Sequence, residues 1–142
     1  MTRCLLDTGP LVALIDRSEP EHDRVRGCMA TLEGLHLITT GAVITEAFYF
    51  LADVPEGPAS LAAFLDASRT DVRDIFHPAA LSAAVGLMSK YKDTPMDFPD
   101  ATLICVAEET GTERVLTLDR RGFTVFRFGK NRRFRLLLDT PD

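Results

Sequence analysis

The stretch Cys4-Leu-Leu-Asp-Thr-Gly-Pro-Leu-Val-Ala-Leu-Ile15 decides the fold class. Cys4-Leu-Leu-Asp7, a short apolar run ending in an acid, reads as a buried strand. Thr8-Gly9-Pro10 is a turn. Pro10 suits a first helical position, where its fixed φ is already helical and its missing N–H loses no bond. Leu11, Val12, Leu14 and Ile15 then form a short apolar helix.

The same alternation continues outward from this unit. Glu19 to Leu32 suits an exposed amphipathic helix, and Leu35-His-Leu-Ile38 a second strand. Thr40 precedes a helix from about Ala42 to Leu51, with Val43, Ala47, Phe48 and Leu51 at helical spacing. Asp53-Val-Pro-Glu-Gly-Pro58 is a loop, and Leu61 to Ala67 is helical again. Val72-Arg-Asp-Ile-Phe76 reads as a third strand, and Pro78 opens a helix carrying Leu81, Ala84, Val85 and Met88. Asp97 is an N-cap, Pro99 fits a first turn, and Gly111 ends the helix that follows. Arg114-Val-Leu-Thr-Leu118 is a fourth strand that closes on Asp119. Strands alternating with helices along the whole chain predict one domain, residues 1–142. Its fold is three-layer α/β/α with a central, mainly parallel sheet of four to five strands. Right-handed crossovers place the C-terminal ends of those strands along one edge.

Composition narrows the class. The 142 residues are 46% hydrophobic and 26% charged, which excludes a disordered tail, a collagen-like chain and a rod. The 21 acids and 16 bases give a net charge of −5, against a protein that coats nucleic acid through overall charge. Cys4, Cys28 and Cys105 are odd in number and lack metal-ligand spacing, so they read as buried thiols of a reducing compartment. No signal peptide or membrane-length apolar run is visible, and a cytoplasmic protein is expected.

The informative residues are acids at element ends. In an open parallel sheet, ligands bind outside the carboxyl ends of the strands. Asp7 and Asp119 each close a strand there, and Asp97 and Asp100 open a helix. Glu46 sits early in its helix within an apolar run, Val43-Ile-Thr-Glu-Ala-Phe-Tyr-Phe-Leu51. Taken singly, each acid is equally a cap, a turn residue or a solvated helix position. Gathered, they repel one another, and a hard divalent cation such as Mg²⁺ or Mn²⁺ removes that repulsion. Such a site activates water toward a phosphodiester and needs no nucleophilic side chain. His22, His36 and His77 belong to no nucleophilic motif.

Four stretches, in order, carry a resemblance: Leu5 to Asp16, Val43 to Ala47, Met96 to Leu103 and Val115 to Phe123. Together the chain resembles the PIN-domain ribonucleases, most closely the VapC-type toxins of bacterial toxin–antitoxin pairs. The resemblance implies that Asp7, Glu46, Asp100 and Asp119 are catalytic and bind Mg²⁺ or Mn²⁺, with Asp97 as an additional metal acid. Thr8 and Thr117 match small hydroxyl positions that orient ligand or water. It implies an endoribonuclease leaving 5′-phosphate and 3′-hydroxyl ends, a cognate antitoxin and a homodimer. Pro99 immediately before Asp100 departs from the usual pattern.

Half of the 16 basic residues fall between Arg114 and Arg135, with Phe123, Phe126, Phe128 and Phe134 among them. This stretch is expected to face RNA phosphate, and Arg120 and Arg121, beside Asp119, are the nearest candidates. The phenylalanines serve either as stacking platforms for bases or as the inward residues of a final strand. Setting aside the five acids of the site leaves 16 acids against 16 bases, so the acidic balance is numerically that of the site. The alternative to an enzyme is a catalytically weak PIN-like RNA- or protein-binding module. Other phosphohydrolases lack support, since no phosphate-gripping GxxxxGK[ST] loop is present. Asp7-Thr8-Gly9 also matches an aspartic-protease triplet, but that fold is all-β.

Overall fold

The chain opens with strand β1, Thr2–Leu6, then helices α1, Thr8–Ile15, and α2, His22–Ala30. Strand β2, Leu35–Thr40, leads into helices α3, Gly41–Leu51, and α4, Gly57–Ala67. Strand β3, Asp71–Arg73, is followed by helices α5, Pro78–Lys90, and α6, Phe98–Thr110. After strand β4, Arg114–Leu116, come helix α7, Arg120–Phe123, and strands β5, Arg127–Phe128, β6, Arg132–Arg133, and β7, Arg135–Leu136, ending in a 3₁₀ turn, Leu137–Asp139. This computed structural model describes residues 1–139.

The central sheet has the order β3-β2-β1-β4-β7, and its neighbours pair in parallel throughout. The strand order reverses direction beside β1, so the connections leaving the paired strands β1 and β4 diverge, and a crevice opens at their carboxyl ends. Cys4 to Leu6 of β1 and the middle of α6, Ala101 to Ala107, are buried, with Leu5, Leu6, Leu103 and Ile104 fully enclosed. A near-continuous apolar run is what a parallel strand covered on both faces requires. Among the described residues, no helix is long and apolar enough to cross a membrane. Cys4, Cys28 and Cys105 form no disulfide.

Four expectations are corrected. Thr8-Gly9-Pro10 is the first turn of α1 and not a turn before it, because the Asp7 carboxylate caps the helix at the Thr8 amide. The helix expected from Glu19 begins at His22, because Asp16 accepts bonds from the Ser18 amide and hydroxyl and holds a turn there. The third strand stops at Arg73, since the Asp74 carboxylate accepts from the Phe76 amide and turns the chain out of the ladder. The final strand is instead a helical turn, a two-stranded antiparallel ribbon and the short edge strand β7. Gly129 and Asn131, at φ 55° and 60°, reverse the chain between β5 and β6. Phe123, Phe126, Phe128 and Phe134 are all buried there, in edge-to-face and tilted contacts with centroids 4.8 to 5.3 Å apart. They are core, and offer bases no surface to stack on.

Candidate active site

Three separate segments deliver acids to the carboxyl edge of the sheet. Asp7 follows β1 and caps α1, its carboxylate accepting from the Thr8 amide at 2.8 Å. Asp119 follows β4 and caps α7, accepting from the Gly122 amide at 3.0 Å. Asp97 and Asp100 bracket the first turn of α6 in a reciprocal capping box. The Asp97 carboxylate accepts from the Asp100 amide at 2.9 Å, and the Asp100 carboxylate from the Asp97 amide at 3.3 Å. Pro99 occupies the first turn without loss of either bond, so the unusual residue leaves the acid in place.

Thr117 joins two of these acids. Its hydroxyl donates to the second Asp7 oxygen at 2.7 Å and accepts from the Asp119 amide at 2.9 Å. The side chain is buried, so this bridge fixes Asp7 relative to the loop that carries Asp119. A second buried relay positions α6. The Thr40 hydroxyl lies 2.8 Å from that of Thr102, which donates to the Pro99 carbonyl at 2.7 Å. Thr39 ties β2 to β1 by donating to the Leu6 carbonyl at 2.8 Å. Thr102 was not legible as a site residue, because its role comes from a partner 62 positions away.

Burial and mutual repulsion show in the protonation of the acids. Asp7 is buried, and its pKa is pushed up from 3.8 to about 6. Loss of hydration is the main cause; the Thr117 and Thr8 bonds oppose it, and the charges of Asp97 and Asp119 add to it. Asp100 is raised further, to about 9, first by burial and then by the charges of Asp7 and Asp97. The charges of Asp97 and Asp119 thus reach Asp7, and those of Asp7 and Asp97 reach Asp100.

Glu46 is placed differently. It lies half-buried on α3 and lines an adjoining groove of about 460 Å³ with Tyr49, Phe50, Phe76, Phe98 and Pro99. Phe98 and Pro99 are the residues between Asp97 and Asp100, so the groove abuts the acidic crevice. Glu46 is not among the charges that dominate the ionisation of Asp7 or Asp100. Of the exposed aromatic residues Phe48, Tyr49, Phe50 and Phe76, the last three line this groove, and none of the four lies in the C-terminal stretch. The run Phe48-Tyr-Phe50 marks them in hindsight, since three consecutive aromatics cannot all face the core of one helix.

The basic residues divide. Arg120 and Arg121 stand at the acidic edge; Arg120 donates to Asp139 at 2.7 Å, while Arg121 is exposed with no ion pair among the described residues. Arg127 donates to three nearby carbonyls, and Arg132 lies over the Phe128 ring. Arg114 and Arg135 begin β4 and β7, at the opposite end of the strands. Most of the stretch therefore does not face the acids, contrary to expectation.

The donors at the crevice are all oxygens, and they repel one another. Beside Asp7, the buried Thr8 hydroxyl oxygen has no hydrogen-bond partner. An orphaned buried oxygen and acids held against their charge fit a hard cation. Among the described residues, no group of three or more His, Cys, Asp or Glu is gathered closely enough to hold a metal ion.

A family model described as PIN domain matches residues 4–128. Ribonuclease VapC26 of Mycobacterium tuberculosis (strain ATCC 25618 / H37Rv) is 29% identical over 125 residues, covering 87% of this chain and 91% of that protein. The crystal structure of Mycobacterium tuberculosis VapC20, a Sarcin-Ricin loop cleaving toxin, aligns at TM-score 0.73 and 18% identity, over 82% of this chain and 90% of that one. VapBC2 from Rickettsia felis, bound to a DNA fragment from its promoter, aligns at TM-score 0.65 and 16% identity, over 95% and 98%. At these identities the solved structures establish the fold.

Proposed function

Since the chain belongs to the PIN-domain family, we propose that its acidic crevice is the active site of an endoribonuclease, the toxin of a type II toxin–antitoxin pair. The observation that carries this reading is that acids from three segments act on one another: the charges of Asp97 and Asp119 reach Asp7, those of Asp7 and Asp97 reach Asp100, and Thr117 bridges Asp7 to the Asp119 amide. A ribonuclease relative aligned over 87% of the chain supports it. The alternative, a catalytically weak binding module, gives no reason to hold buried acids against their own repulsion.

In this reading Asp7, Asp100 and Asp119 hold Mg²⁺ or Mn²⁺, with Asp97 beside them and water completing the shell. When bound, the cation supplies a water of lowered pKa and a counter-charge for the phosphate. The protein's own residues do the rest. Thr117 holds Asp7 and the Asp119 loop in register, and Thr8 presents a hydroxyl to ligand or water. Glu46, at the mouth of the aromatic groove, orients the attacking water or the substrate beside the crevice. Arg121, and Arg120 when released from Asp139, contact the substrate phosphates. Hydrolysis leaves a 5′-phosphate and a 3′-hydroxyl.

The same reading takes residues 1–142 as one PIN domain. Strand β7, beyond the matched residues 4–128, supplies the fifth strand of the sheet. It assigns a cytoplasmic protein with an antitoxin partner, in line with fold neighbours such as VapBC2 and FitAcB from Neisseria gonorrhoeae (TM-score 0.53, 17% identity, over 84% of this chain and 90% of that one). A homodimer would cover exposed apolar residues on the outer helices, Phe48, Tyr49 and Phe50 among them.

The test is cleavage of a mixed RNA pool by purified protein with Mg²⁺ or Mn²⁺, and with chelator, beside Asp7→Asn and Asp100→Asn. Metal-dependent cleavage lost in both variants is expected. RNA binding without cleavage at every metal concentration would overturn the nuclease in favour of the binding module.

A further inference from the structure

A second cavity lies away from the acidic edge. It is a cleft of about 820 Å³ between α2 and the β4–β7 end of the sheet, toward the amino ends of those strands. Pockets that take small ligands fall in this range of volume. Arg114 and Arg135 line it, and they are direct cross-strand partners in the β4–β7 register. Like charges placed side by side on neighbouring strands destabilise a sheet unless something lies between them. Neither guanidinium has an ion pair or hydrogen bond among the described residues, a state they share with Arg17, Arg26, Arg69, Arg121 and Arg133, none of which lines the cleft.

Arg24 enters the same cleft from α2. It is held at 3.0 Å from Glu21 and 3.9 Å from Asp139, and donates to the Leu138 carbonyl at 2.9 Å. Asp23 is the acid that lines the cleft. The remainder includes the apolar side chains of Leu32, Leu137 and Leu138. Two unpaired guanidinium forks beside an apolar wall suit a ligand with several anionic oxygens at one end and a flat apolar body at the other. A phosphate offers oxygens to both forks at once, which a single carboxylate does less well.

We propose that this cleft is a second ligand site, which holds a nucleotide by its phosphate on Arg114 and Arg135, with the base against Leu137 and Leu138. The nucleotide is either free or one residue of an RNA strand; both present the same chemistry to the cleft. The assignment rests on the cleft's own residues, at the opposite end of the strands from the acids, and stands whether or not the crevice cleaves RNA.

The experiment is calorimetric titration of the full chain in chelator, so that no metal recruits phosphate to the acidic crevice. The probes are inorganic phosphate, adenosine 5′-monophosphate and a short 2′-O-methyl oligoribonucleotide. Saturable binding of the mononucleotide or the oligomer is expected, weakened at least about tenfold in Arg114→Gln/Arg135→Gln, with a shallower salt dependence. Removing the like-charge pair should leave the melting temperature unchanged or raised. If the double variant does not fold, Arg135→Gln alone, at an exposed position, is expected to weaken binding at least about threefold. Mononucleotide binding no weaker than that of the oligomer assigns a free nucleotide, and binding of the oligomer alone assigns an RNA strand. Absence of binding by all three probes, or equal binding by a folded variant, would overturn the proposal.

Discussion

Asp100→Asn isolates the electrostatic stress of the acidic crevice. The asparagine carbonyl oxygen still accepts from the Asp97 amide, as the carboxylate does at 3.3 Å, so the cap of α6 survives while the charge is removed. In metal-free protein the Asp100 carboxyl is held protonated well above its ordinary 3.8, by burial first and then by Asp7 and Asp97. The unfolded chain releases that proton near its ordinary value. Between the two pKa values the folded state binds more protons than the unfolded state, so stability falls as pH rises. The slope is about 1.4 kcal/mol per pH unit. From about pH 4.5 to about pH 7.5 this one group removes at most about 4 kcal/mol, a large part of the roughly 5–15 kcal/mol of an ordinary domain. Asp7, raised to about 6, adds to the fall only up to that pH. Asparagine does not titrate, so the variant keeps only the Asp7 contribution, itself reduced by loss of a repelling neighbour. Urea unfolding in chelator at both pH values should show the wild type losing roughly 2–4 kcal/mol more than Asp100→Asn. At the higher pH the variant should be the more stable protein. Parallel losses in the two proteins would refute the reasoning, since Asp100 would then feel the same surroundings folded and unfolded.

Mg²⁺ or Mn²⁺ at about 100 times its dissociation constant should add about 2.7 kcal/mol to wild-type stability at neutral pH and distinctly less to Asp100→Asn, read by the same unfolding curves. Thr117→Val breaks the bridge between Asp7 and the Asp119 amide, and should cost about 1–3 kcal/mol and lower the rate of RNA cleavage more than RNA affinity. Gly122→Ala puts a methyl group into the Asp119 carboxylate and the Phe126 ring. It should destabilise by about 1–3 kcal/mol and reduce metal affinity, measured by calorimetry.

What could be read from the chain before its structure depended on how local each cause was. Asp7 stands out because a run of apolar residues, an acid and Gly-Pro follow one another within a few positions, and strand end and helix cap are both decided there. Asp97 and Asp100 are legible for the same reason, since a capping box spans only four residues. The site is less legible where its causes are distant. The Thr40–Thr102 bond joins a strand end to a helix 62 positions on, and no periodicity marks either hydroxyl. The C-terminal stretch misleads for a related reason. Alternating phenylalanines and arginines satisfy a strand pattern, but two residues at positive φ fold the pattern into a ribbon. That reversal buries the rings as a cluster and returns Arg135 to the amino end of the sheet, beside Arg114 at the start of β4. A charge run in sequence is therefore a weak guide to a charged face. Strand ends and turns together decide which end of the sheet each guanidinium reaches, and here they divide one basic run between the acidic edge and the α2 cleft.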